Sequence, residues 1–199
     1  RGWFEERLAV NLRKLMQREL GKATPIEVTR QHARVLVRTE WSEATRSVLN
    51  RVFGLANYSP MRIVATTHES IAAAAIEEFS SYVAQHGMPS TFRVRTRRTD
   101  KALPETSMEL DRYIGGAIRQ AYPALTVDLD HAQFSLGIEL RFNQSYLWTE
   151  KISAQGGLPV GTNARVLTLI SGGLDSPVAA IQTLKRGSPV SYMHFYGAP

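Results

Sequence analysis

The chain has 199 residues, a formal net charge of +6 and no cysteine. That length allows one large domain or two small ones, while the missing thiols exclude disulfides, thiolate metal sites and thiol catalysis by these residues. No apolar run of about 18 residues and no signal-peptide pattern is present, so neither a membrane span nor secretion is expected, and the excess of cations favours a polyanionic partner.

Phe4, Leu8, Leu12, Leu15 and Met16 recur at helical spacing, and Gly21 ends the pattern. Residues 33–39, ARVLVRT, suit a strand. Val48, Leu49, Val52 and Phe53 predict a second helix closed by Gly54, and Ile63 with Val64 another strand. Helix, strand, helix, strand is a ferredoxin-like unit lacking its first strand, which is expected to precede Arg1.

Thr66 to Glu69 matches a capping box with Thr66 as N-cap. The helix it opens buries Ile71, Ala75, Phe79 and Val83 and stops at Gly87. In TFRVRTRR, Phe92, Val94 and Thr96 face one way and Arg93, Arg95 and Arg97 the other. Thr106 to Glu109 is a second capping box, before a helix carrying Leu110, Ile114, Ala117 and Ile118. Gly115-Gly116 inside that helix predicts a close packing contact. Residues 134–142 alternate strictly, which predicts a half-buried strand, and Asn143 to Ser145 turns it into Tyr146-Leu147-Trp148 as a hairpin. Trp3, Trp41 and Trp148 are expected in the core, and His32, His68, His86 and His131 show no ligand spacing.

Residues 152–164, ISAQGGLPVGTNA, have no period and read as a linker or functional loop. A strand, a glycine turn, a helix and the strand 190–195 follow, making one βαβ unit. The turn is Ser171-Gly172-Gly173-Leu174-Asp175-Ser176. Gly172 and Gly173 let backbone N–H groups close on an anion at a helix N-terminus. Ser176 is expected to cap the helix, with Pro177 at its first position. Asp175 repels phosphate but suits a Mg²⁺ that bridges phosphates. No Lys follows as in a Walker A loop, and G-x-G-x-x-G is absent. A tight turn with a capping serine is the alternative reading.

This hexapeptide resembles the SGGxDS signature of the PP-loop ATP pyrophosphatases. With Gly156-Gly157-Leu158-Pro159-Val160-Gly161, Pro177-Val178-Ala179, Lys185-Arg186-Gly187 and His194-Phe195, it resembles the tRNA 4-thiouridine synthetase (tRNA sulfurtransferase) family, also tied to thiamine biosynthesis. Residues from Phe92 through Arg98, with Asp100-Lys101 and Thr106-Ser107, resemble that family's THUMP domain, and Phe53-Gly54 to Ser59-Pro60 its N-terminal domain.

The resemblance implies an α+β front, made of a ferredoxin-like unit and a THUMP-type α/β domain, followed by the first βαβ of a parallel α/β PP-loop domain. The implied boundaries are 1–66 for the ferredoxin-like domain with its start missing, 67–151 for THUMP (or a start near 46), 152–164 for the linker and 165–199 for a truncated PP-loop domain. It implies adenylation of O4 of a tRNA uridine at tRNA position 8, then displacement of AMP by a persulfide sulfur. ATP and Mg²⁺ are the implied cofactors. The implied partners are tRNA and a persulfide donor of the cysteine desulfurase type, with no membrane, a homodimer left open and a cytoplasmic setting. Leu169, Ile170, Ser171, Gly172, Gly173, Asp175, Ser176, His194 and Phe195 are the implied nucleotide-site residues. Asp175 is also the implied catalytic residue and metal ligand. Arg93, Arg95, Arg97, Arg98 and Lys101 are the candidate RNA contacts, or else a solvated strand face.

The family's later strands and sulfur-handling cysteines are expected beyond Pro199. The chain is therefore expected to be a fragment that binds tRNA and is inactive alone. A non-catalytic RNA-binding fragment and another PP-loop synthetase acting on a small molecule stay open.

Overall fold

The computed structural model describes residues 2–31, 34–99 and 104–195. In chain order the elements are α1 (Gly2–Leu20), β1 (Glu27–Gln31), β2 (Arg34–Arg38), α2 (Glu43–Leu49), β3 (Asn57–Tyr58), β4 (Arg62–Ala65), α3 (His68–His86) and β5 (Thr91–Arg98). There follow α4 (Ser107–Ala121), β6 (Thr126–Val127), β7 (Phe134–Leu140), β8 (Gln144–Trp148), β9 (Ile152–Ser153), β10 (Val166–Leu169), α5 (Asp175–Lys185) and β11 (Val190–Met193). They form two compact units. One runs to Tyr58 and resumes at Ile152; the other is Ser59–Lys151. No described helix is long and apolar enough to cross a membrane.

In the first unit, Leu12 and Met16 of α1 are buried with Val48 and Leu49 of α2 and with Val52. Gly21 ends α1 in the left-handed region, at φ 89°, where a Cβ would be strained. Ser42 caps α2 by accepting the Thr45 N–H at 3.2 Å. The helix stops at Leu49, short of the expected Phe53, yet Val52 stays buried. The expected single strand at 33–39 is half of an antiparallel pair, with Val28 opposite Val37; Ala33 lies outside the described residues. β1 gave no periodic signal because Val28 is its one buried residue.

The strand at Ile63 belongs to the second unit, not to a front unit of helix, strand, helix, strand. β4 pairs with β8 in a five-stranded sheet of order β4-β8-β7-β5-β6. Its residues are recruited by that sheet and by α3, where Glu78 holds the Arg62 guanidinium at 2.7 Å and Glu77 shares it. Helices α3 and α4 bury Ile71, Ala75, Phe79, Leu110, Ile114 and Ile118 against Phe92, Val94, Phe134, Leu136 and Leu147.

Thr67, not Thr66, caps α3, because the Thr66 hydroxyl is engaged with the Arg141 carbonyl at 2.8 Å. The box at Thr106 and Glu109 is present as expected. Gly115 and Gly116 make no close contact: an added Cβ would meet Phe92 at 3.8 Å for the first and nothing within 4 Å for the second.

β7 is buried on both faces except at Ser135, rather than half-buried. Two contacts cover the face expected to be polar. The Trp148 ring lies over Gly137, and Glu139 accepts from Arg141 Nε at 2.9 Å. Phe142, the last of the expected apolar set, is past the strand and 75% exposed. None of the three tryptophans expected in the core is fully buried: Trp148 is half-buried over Gly137, and Trp3 and Trp41 stand 52% and 44% exposed, outside the apolar stripes that form the core.

Two glycines in one unit therefore predict opposite outcomes. Gly137→Ala places a Cβ within 2.6 Å of Trp148 Nε1 and should destabilise by about 1–3 kcal/mol, the usual cost of overpacking. Gly116→Ala fills open space on a helix and should stabilise by about 0.5–1 kcal/mol. Urea denaturation of the two variants beside the parent checks both signs.

Candidate functional site

Two places carry chemistry. The first is the turn between β10 and α5. β10 and β11 are parallel, with Leu169 opposite Met193, and the Ile170 N–H extends the ladder to the Met193 carbonyl at 2.8 Å. His194 then closes it, with Nδ1 2.7 Å from the Ile170 carbonyl oxygen. A carbonyl only accepts, so Nδ1 carries the proton. The turn is held by hydroxyls. The Ser171 N–H donates to Ser176 Oγ at 3.0 Å, the two hydroxyls lie 3.1 Å apart, and the Gly173 N–H donates to Ser171 Oγ at 3.3 Å.

Ser176 thus ties the turn together and does not cap α5. The N-cap position is Leu174, with no side-chain bond, and Pro177 is the third helical residue rather than the first. The first-turn N–H groups of α5 are consequently left for another acceptor. A Cβ on Gly172 would meet no atom within 4 Å, so an anion has room against that backbone. These observations fit a phosphate group. Asp175 opens the helix and is exposed. Among the described residues no group of three metal-ligating side chains forms, and Asp175 is the one carboxylate of the turn. Leu169 and Phe195, 57% and 74% exposed, flank the turn at the strand ends.

The 156–161 stretch is no slack linker. Gly156, Gly157 and Gly161 have φ of 65°, 75° and 93°. The Leu158 N–H donates to the Lys185 carbonyl at 2.9 Å, and the amides of Gly161, Thr162 and Asn163 all approach the Gly187 carbonyl. Sequence spacing gave no sign of these bonds, whose partners lie up to 27 residues apart in the chain.

The second place is the polar face of β5. Arg93 donates to Ser135 Oγ at 2.9 Å and to the Leu129 carbonyl at 2.9 Å, and Arg95 reaches the same carbonyl at 3.2 Å. Asp128 shapes the turn that presents this carbonyl by accepting the N–H groups of Asp130 and His131, each at 2.9 Å. Arg97 is exposed and has no partner among the described residues. Arg98 is half-buried at the strand end, where its charge adds to the Thr106 hydrogen bonds that hold Glu109 below the usual carboxylate range. Lys101 lies outside the described residues.

Comparison with known proteins follows these divisions. The family model of the THUMP domain matches residues 65–150, and that of the thiamine biosynthesis protein ThiI matches residues 161–199. The chain is 38% identical to a probable tRNA sulfurtransferase of Limosilactobacillus fermentum, over 98% of this chain and 47% of that protein. It is 36% identical to one of Thermococcus kodakarensis, over 98% and 51%. The chain thus spans about half the length of the curated relatives it matches. A crystal structure from Pyrococcus horikoshii is similar at a TM-score of 0.88 and 32% identity, covering 98% of this chain and 64% of the other. A 4-thiouridine synthetase in complex with RNA and bound ATP is similar at 0.86 and 28%, covering 98% and 48%.

The turn at Asp128 has a pH signature. The N–H groups of His131 and Asp130 hold its carboxyl below the usual range, and Arg93 adds to this. A depressed folded-state pKa stabilises above the unfolded value and loses that contribution as pH falls through the folded one. Asp128→Asn keeps an acceptor but no titration. The stability difference between parent and variant should therefore shrink as pH falls below about 4, in urea midpoints taken from pH 3 to 6.

Proposed function

We propose that the chain, which is similar to tRNA sulfurtransferases and matches the THUMP and ThiI family models in part, is the RNA-binding and phosphate-binding part of a tRNA uridine 4-sulfurtransferase. The observation that carries this is the joint presence, in one chain, of an uncapped SGGLDS helix start after a parallel strand and of a THUMP-type sheet bearing an unpaired arginine. The similar synthetase of known structure was crystallised with RNA and ATP, which supports both halves of the reading.

ATP would supply an adenylyl group to O4 of a tRNA uridine with release of pyrophosphate. The terminal sulfur of a persulfide from a cysteine-desulfurase-type donor would then attack C4 and displace AMP with O4. A second thiol, which these cysteine-free residues do not supply, would cleave the S–S bond to leave the thiocarbonyl and a disulfide. The chain's own residues bind and orient. The open amide of Gly172 and those of the first turn of α5 receive the pyrophosphate portion, and Gly173, whose N–H is held by Ser171 Oγ, keeps the turn free of side chain beside it. Ser171 and Ser176 fix the turn, Asp175 would hold a Mg²⁺ that supplies charge neutralisation to the phosphates, and His194 keeps the end of β10 in place. Leu169, Ile170 and Phe195 line the nucleotide at the carboxyl ends of the strands. On the sheet, Arg97 grips an RNA phosphate, while Arg93 and Arg95 shape the surface beside it; Arg98 extends the cationic strip, and Lys101 is a further candidate contact from the sequence. A tRNA substrate places the protein in the cytoplasm.

Asp175→Asn in the intact protein should lower pyrophosphate release about 100-fold or more, because the metal's contribution is several kcal/mol, with tRNA affinity retained. Release at the parent rate would leave Asp175 as a helix-start residue only. Arg97→Ala should weaken binding to many tRNAs alike and reduce the salt slope by about 0.9, with an unchanged melting midpoint. Filter binding of tRNA across a salt series reads both quantities.

A further inference from the structure

Helix α5 is thinly held along its length. Ala180 is its buried residue, while Val178 and Ile181 are 55% and 50% exposed. Its carboxyl end is fastened instead. Besides the Leu158 bond to the Lys185 carbonyl, Asn163 Nδ2 donates to the Arg186 carbonyl at 2.6 Å. The strap that makes these bonds is itself tied to the front of the same unit. Asn11 Nδ2 of α1 donates to the Val160 carbonyl at 2.9 Å. The Gly54 N–H donates to the Gly156 carbonyl at 2.7 Å, and the Gly156 N–H to the Leu55 carbonyl at 2.8 Å. Pro159 lies so close to Gly54 that a Cβ there would come within 2.8 Å of the proline Cδ.

We infer that residues 154–163 are a positioning strap, in which Asn11 and Asn163 set the direction of α5, and with it the SGGLDS turn, relative to α1. The turn sits at the opposite end of α5, about 16 Å from the fastened end for an 11-residue helix. A rod fastened at one end converts a small rotation there into a displacement at the other. Glycines in the left-handed region fit this role because their φ is imposed by the hydrogen bonds on both sides of them. A flexible connection would show neither the bonds nor the close approaches.

The absence of cysteine makes a direct test possible. Lys14→Cys on α1 and Val178→Cys on α5, both at exposed positions, carry spin labels whose distance distribution is measured in this chain. The parent should give one narrow distribution. Asn11→Asp and Asn163→Asp, which replace a donor by a carboxylate of the same shape, should each broaden it without moving the melting midpoint. Distributions as narrow as the parent's in both variants overturn the inference. So does a lowered midpoint in both, which would make the contacts structural rather than positioning.

The catalytic arm rests on the phosphate reading. In the intact protein both variants should lower kcat for pyrophosphate release by about 10- to 100-fold, with KM for ATP unchanged, as misplacement of a bound group does. An unchanged kcat beside a broadened distribution would overturn the positioning role. An intact parent that binds no ATP and releases no pyrophosphate would refute the phosphate site and leave the distance result standing.

Discussion

The carbonyl of Gly187 receives three backbone amides, those of Gly161 at 2.8 Å and of Thr162 and Asn163 at 3.1 Å each. The βαβ portion depends on this convergence, because it has little buried surface of its own. Leu167, Leu169, Tyr192 and Leu174 are all more than half exposed. Where apolar burial is scarce, backbone bonds have to fix the geometry, and each one left unmade costs the desolvation of its groups. Gly187 must have no side chain for this to work. Its φ is 88°, and a Cβ would lie 3.1 Å from that of Leu158 and 3.2 Å from the Pro159 carbonyl.

The second unit is built on the contrary principle. Its sheet is covered by two helices on one face, and its fully buried side chains include Phe79, Phe92, Phe134, Leu136 and Ile138. That difference decides how much of each was legible in the sequence. Helices α1, α3 and α4 were readable because their apolar residues recur every three or four positions over four or more turns. The box at Thr106 was readable because both of its partners lie within four residues. β7 was half readable. Its alternation located the strand, but the chemistry of Gly137 and Glu139 implied solvent where Trp148 and Arg141 in fact lie. A glycine under an aromatic ring and a carboxylate under a guanidinium look polar in one dimension.

The turn between β10 and α5 was legible as a motif, since glycines and hydroxyls between a strand and a helix mark either an anion site or a capped tight turn. Its internal wiring was not. A serine at the start of a helix has two options, to cap it or to reach back along the chain, and Ser176 takes the second because the Ser171 amide lies within 3.0 Å. The strap was invisible for a related reason. Composition rich in glycine signals either slack or tight backbone approach, and only the partners at Gly54, Lys185 and Gly187 distinguish them.

The arginines of β5 show why a charge pattern overstates a binding surface. Three alternating guanidiniums promise three phosphate contacts, and each would contribute about 0.9 to the salt slope. Arg93 and Arg95 already hold the Leu129 carbonyl, and Arg93 also holds Ser135. To grip a phosphate fully, they would have to release donors from protein acceptors, which offsets much of what the new contact contributes. The Asp128 carboxylate, charged and near Arg93, further reduces the field there. Of these three arginines, Arg97 alone is an exposed cation with no partner among the described residues. Strong affinity for a polyanion must then be assembled from cations spread over several elements rather than from one strand. The net charge of +6 is large enough for that, and the pattern along β5 alone is not.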